Sequence, residues 1–88
     1  MKNIQRDAFA VNVFPQPAGS QINFSFEKEI ANGDLYITDM NGRTLQQVKV
    51  RNTNQLNIDV SELSSGMYFY QLYSAKQLVK TGKLMVAK

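Results

Sequence analysis

Apolar and polar positions alternate with a period of two along almost the whole chain, the pattern of strands with one buried face. Ala8 to Phe14 reads as a first strand, stopped by Pro15 and Pro17. Gln21 to Phe26 puts Ile22, Phe24 and Phe26 on one face. After a turn at Asn32-Gly33-Asp34, Leu35 and Ile37 share a face, with Tyr36 and Thr38 opposite. Thr44 to Val50 follows, with Leu45 assigned to the core, and Arg51 to Gln55 reads as a polar loop. Leu56, Ile58 and Val60 alternate on the next strand, and Met67 to Tyr73 form a long aromatic one. Leu78 to Ala87 return as the last strand, bulged at Gly82. About seven short strands with regular turn signals predict an all-β fold, an immunoglobulin-like antiparallel β-sandwich.

The turn chemistry sharpens this picture. Asn41-Gly42 is the strongest hairpin signal and predicts a type I′ turn, with positive φ at both residues. Ser61 to Ser64 predicts one brief helical turn capped by Ser61. Tyr68 suits a tyrosine corner, its hydroxyl bonded back to the corner backbone, with Gly66 supplying a φ that other residues resist. The same alternation sends Tyr68, Tyr70 and Leu72 inward, and Phe69 and Tyr73 toward solvent or a partner.

Composition narrows the functions open to such a fold. The chain has 88 residues, enough for one domain with a thin core. Residues 1–7 are polar and read as a flexible leader or linker, and 8–88 as the domain. Cysteine and histidine are absent, which removes disulfides, thiolate metal sites, the commonest transition-metal ligand and the usual general base. We therefore expect no enzyme, no metal and no cofactor. Glu27, Glu29 and Asp34 read as a solvated edge and not as an acid–base pair, and Asp34, Asp39 and Asn41 do not have the spacing of a calcium loop. The formal charge is −2 over residues 1–42 and +5 over residues 43–88, yet the basic residues are too scattered to form a nucleic-acid groove. No apolar run reaches the length needed to span a bilayer, and none follows Met1 to Asp7 as in a signal peptide. Either the protein is cytoplasmic, with Met1 its natural start, or these residues are a fragment of a longer precursor with Met1 added to it; the fragment is what we expect.

Four short elements then stand in a characteristic order. Phe14-Pro15-Gln16-Pro17-Ala18 lies near the start, and Asp39, Gly42 and Arg43 surround the middle turn. Leu63, Gly66, Met67, Tyr68 and Phe69 lead into the aromatic strand, and Lys83, Leu84, Val86 and Lys88 mark the last one. Together they resemble the C-terminal sorting domain of type IX secretion system cargo, type A, the Por secretion family, over residues 11–88. Phe14 stands where the family has tyrosine, and Gln16 where it has asparagine.

The resemblance implies a non-catalytic secretion signal of Bacteroidetes-type bacteria. The cargo attached N-terminally would pass through the periplasm, cross the outer membrane, and end at the cell surface or in the medium. The implied partners are the secretion machinery, the cargo domain, and a sortase-like cysteine protease that cuts upstream of the domain, at or before about residue 10. The last strand, with Met85 and Phe69, would offer an edge for strand addition or for dimers. The alternative is an immunoglobulin- or fibronectin-like accessory module that binds carbohydrate through Tyr36, Phe69 and Tyr73, or packs on an adjacent enzyme.

Overall fold

The computed structural model describes residues 10–15 and 18–88. They form five antiparallel strands: β1 (Val11–Phe14), β2 (Gln21–Thr38), β3 (Thr44–Asp59), β4 (Gly66–Ser74) and β5 (Gln77–Val86). The strand order is β1-β2-β4-β5, with β3 also paired to β2. The fold is all-β and antiparallel, as the alternation predicts, but the described residues form five strands and not seven, joined in one bent sheet and not in the two sheets of the expected immunoglobulin-like sandwich.

The difference lies in one long bent hairpin. The strands predicted over 21–26 and 35–38 are a single β2, and those over 44–50 and 56–60 merge into β3. Asn32-Gly33-Asp34 is strand, paired on one side with Val50 and Arg51 and on the other with Ser74 and Tyr73. Arg51 to Gln55 is strand too. The corner comes earlier, where pairing jumps from Ser25↔Gln55 to Ile30↔Thr53. β2 spends Phe26 to Glu29 on the outer arc while β3 spends only Asn54. Such an unequal count bends both strands. Glu27, Lys28 and Glu29 are exposed on that arc, and Asn52 takes a left-handed φ of 48° on the inner one.

The bend folds the sheet over its own core. The first half of β2 pairs with β1 and the end of β3, and the second half with the start of β3 and with β4. Phe24 from the first half meets Tyr70 from β4 edge to face, at 5.2 Å between centroids. Ile22, Phe24, Leu35, Ile37, Leu72 and Leu84 are fully buried in one cluster, so the predicted inward set of β2 and β4 is observed and β5 adds Leu84 to it. Leu45 is the exception and is exposed. The register passes from Ile37↔Gln46 to Thr38↔Thr44, which leaves Leu45 as the unpaired residue of a bulge. In β5 the bulge falls at Val79, between Leu72↔Lys80 and Tyr73↔Leu78, and not at Gly82. Gly82 faces Tyr70 and is covered by its ring.

The turns also depart from expectation. At Asp39–Arg43 only Gly42 has positive φ, 84°, and the Gly42 amide donates to the Asp39 carbonyl at 3.0 Å. This is a type I turn followed by a left-handed glycine, not type I′. The two-residue turn with positive φ at both positions is Ala75-Lys76, at 53° and 69°, closing the β4–β5 hairpin. Left-handed backbone costs a residue with a Cβ about 1–2 kcal/mol. The double substitution Ala75→Asn, Lys76→Gly should therefore stabilise the domain by about 1–2 kcal/mol. That corresponds to a rise in Tm of about 5–10 °C by thermal circular dichroism, and an unchanged Tm would contradict this strain. Finally, Ser61 to Ser64 is not helical: the Leu63 amide donates to the Val60 carbonyl at 3.0 Å and makes a simple turn.

Candidate recognition site at the closed end of the sheet

Several sequence elements far apart in the chain meet at one end of the sheet. Ala18, fully buried, pairs in parallel with Val86. Its amide donates to the Met85 carbonyl, and its carbonyl accepts from the Ala87 amide, both at 2.8 Å. Val86 also pairs with Gly66 at the start of β4, so the last strand is held on both sides. The Val60 amide donates to the Ser20 carbonyl at 2.8 Å, drawing the 60–65 corner to the same place. The Gln46 side chain donates to the Asp59 carbonyl at 2.9 Å, bringing in the base of the 39–43 loop. The open edge expected at the end of the last strand is thus closed from Met85 to Ala87 by the chain's own segment around Ala18.

Within the 39–43 loop, Asp39 is the organising side chain. Oδ1 accepts from the Asn41 and Arg43 amides at 2.9 Å each, and Oδ2 from the Arg43 guanidinium at 3.1 Å. The Arg43 amide, foremost, holds the Asp39 carboxyl below the usual carboxylate range. A carboxyl depressed by folding contributes stability above its unfolded value of 3.8 and loses it as the pH falls through the folded value. Asp39→Asn should therefore shrink the drop in urea midpoint between about pH 6 and about pH 3. Asp59, whose carboxyl is also lowered, chiefly by Ser61, should keep part of that drop. An Asp39→Asn protein with the wild-type acid profile would contradict this assignment.

The 60–65 corner is stitched by backbone acceptors. The Tyr68 hydroxyl donates to the Ser64 carbonyl at 2.6 Å, the predicted tyrosine corner, and Gly66 takes a φ of 154°. Asp59 Oδ1, not Ser61, caps the turn by accepting the Ser61 amide at 2.8 Å. Lys88 closes the arrangement. Its amide donates to Ser65 Oγ at 3.0 Å, and its ammonium to the Ser61 and Val60 carbonyls at 2.5 and 3.3 Å. A cation on two carbonyls makes charge-assisted bonds, about twice the strength of neutral ones.

The structure sorts the residues singled out in the sequence. Tyr68, Leu84 and Val86 are core, and Leu63 is half-buried against it. Asp39, Gly42 and Gly66 shape turns. Arg43 and Lys88 stand at the end of the sheet, whereas Lys83 lies away from it, opposite Phe69 on the outer face. Phe14 and Pro15 are exposed, and Pro17 and Gln16 lie outside the described residues. Ala18, quoted in the first of the four elements, joins the site through the last strand, and Gln46, Asp59 and Ser65 join it without having been singled out. Only Asp59 had a readable signal, an Asp two residues before Ser61.

Such an end presents a fixed backbone shape. Among the described residues no group of three or more His, Cys, Asp or Glu could hold a metal ion. No helix there is long and apolar enough to cross a membrane. Compared with known proteins, the chain matches the model of the secretion system C-terminal sorting domain over residues 12–87. No curated protein matches it. The match takes in the Ala18 contact, the Asp39 loop, the Tyr68 corner and the last strand together, and the chain belongs to the secretion system C-terminal sorting domain family.

Proposed function

We propose that this domain is the export address of a cargo protein of the type IX secretion system. The observation that carries the reading is the family match across residues 12–87. In this reading the cargo lies N-terminal to the domain, passes through the periplasm, and reaches the cell surface or the medium. A sortase-like cysteine protease then cuts before the folded sheet, at or before about residue 10. The chemistry is the protease's. The domain contributes a folded shape, immunoglobulin-like in its wrapped sheet, with Phe24 packed on Tyr70 and a tyrosine corner at Tyr68. Arg43 and Lys88 sit on its closed end.

The test is a transplant. Residues 1–88 are fused to the C-terminus of a fluorescent protein with a signal peptide, in a host that has the type IX system. Surface or medium fluorescence that disappears in a strain lacking the translocon is the expected result. Equal periplasmic retention of the folded fusion in both strains would overturn the proposal.

A further inference from the structure

We propose that Asn41 is a site of spontaneous deamidation to isoaspartate, that strand pairing withholds the same reaction from Asn32, and that Asp39 is the brake on it; none of this rests on the sorting role. Asn-Gly occurs twice in the chain, at Asn32-Gly33 and Asn41-Gly42, and every other asparagine is followed by a bulkier residue. The reacting atom is the backbone nitrogen of the residue after the asparagine, and glycine has no side chain to hinder its approach.

The reaction needs only water. The Gly42 nitrogen loses its proton to solvent and attacks Asn41 Cγ. The Cγ–Nδ2 bond breaks, the amide nitrogen leaves as ammonia with a proton from solvent, and a succinimide ring closes. Water then opens the ring. Opening at Cγ gives aspartate, and opening at the main-chain carbonyl carbon gives isoaspartate, whose main chain runs through Cβ and Cγ.

The two sites differ in what must move. Attack requires the asparagine main chain to rotate until the next nitrogen faces its own Cγ. Asn41 and Gly42 are exposed, in the loop between β2 and β3, and a Cβ at Gly42 would meet nothing within 4 Å. The Gly42 amide donates to the Asp39 carbonyl at 3.0 Å, and Asp39 Oδ1 steadies the Asn41 and Arg43 amides at 2.9 Å each. Opening that loop disturbs no strand. Asn32 and Gly33 instead lie inside β2. Gly33 is buried between Val50 of β3 and Ser74 of β4, and the Asn32 carbonyl accepts from the Ala75 amide at 3.0 Å. Rotation there separates strands on both sides. Loop openings cost little, whereas opening core strands costs close to the whole stability of a domain.

The product alters the end of the sheet. Isoaspartate lengthens the main chain by one carbon between the Asn41 and Arg43 amides, the two that Asp39 Oδ1 holds together. It also adds a carboxylate two residues from Asp39. The aged loop therefore loses the shape that Asp39 gives it.

The experiment is incubation of the folded domain, and of a urea-unfolded sample, in mildly alkaline buffer at physiological temperature. Peptide mapping by mass spectrometry, with methylation by an isoaspartate-specific methyltransferase, locates the products. In the folded domain Asn41 should convert at least about tenfold faster than Asn32, while in urea the two rates converge. Asn41→Gln should remove most of the methylation of the folded protein. Asp39→Ala should raise the ratio of the Asn41 rate to the Asn32 rate about fivefold, because the loop loses the acceptor that steadies it. No conversion at Asn41 in a folded sample whose unfolded counterpart reacts would overturn the proposal, as would equal rates at Asn32 and Asn41 before unfolding. A ratio that Asp39→Ala leaves unchanged or lowers would overturn the brake assigned to Asp39.

Discussion

Phe24→Ala is expected to leave a domain that is largely unfolded at physiological temperature, and with it to abolish export of the fused cargo. Phe24 is 1% exposed and is the largest of the fully buried side chains. Its ring contacts Tyr70 across the core, joining the first half of β2 to β4. Truncating a buried phenylalanine costs about 3–5 kcal/mol, for the lost transfer energy and the cavity left behind. A chain of this length has about 4–13 kcal/mol in total, so the loss is a large part of the whole. Urea denaturation followed by circular dichroism measures it directly. A loss below about 1 kcal/mol would mean that the two halves of the bent sheet do not depend on this contact.

Gly33→Ala is the second large effect, and it has nothing to do with backbone freedom. A Cβ at Gly33 would lie 2.3 Å from the Tyr73 carbonyl oxygen and 3.0 Å from Ile30 Cγ2. The first of these is a backbone atom of the neighbouring strand, so no rotamer change relieves it. β2 and β4 must separate, loosening the ladder from Gly33↔Ser74 to Asp34↔Tyr73. Overpacking of this kind costs about 1–3 kcal/mol, occasionally more. Gly19→Ala is the control, since a Cβ there meets nothing within 4 Å. A fall in urea midpoint for Gly33→Ala, with none for Gly19→Ala, is the expected pair of results. Equal midpoints would contradict the close strand approach.

These two residues also show what the sequence does and does not disclose. Phe24 is legible because a period of two survives even when two predicted strands are one. The inward sets therefore come out right for β2 and β4 although the strand count does not, and only Thr38, expected opposite Leu35 and Ile37, is buried as well. Gly33 is misleading because Asn-Gly-Asp has turn composition wherever it stands. Here the glycine serves a close strand contact, and the corner is made by unequal residue counts at Glu27–Glu29 and Asn54, which no local signal marks. Leu45 fails for a related reason, since a bulge set by the Asp39 loop moves it out of register. The left-handed pair at Ala75-Lys76 is invisible because neither residue favours it.

The candidate recognition site divides along the same line. Asp39, Gly66 and Tyr68 act within a few residues of themselves, so their roles can be read locally. The contacts of Ala18, and those of Lys88 with the 60–65 corner, span most of the chain and exist only once it is folded.

The pairing of Ala18 with Val86 bears on when folding can finish. Almost the whole described chain lies between the two residues. Closing so long a loop carries a large entropic cost, and contacts of such high sequence separation make folding slow. A chain elongated only as far as Tyr73 lacks the strand that Ala18 pairs with, and lacks Leu84 and Val86 from the core. Such a chain has no partial version of the closed end to offer. The closed end therefore arises only after translation has passed Val86.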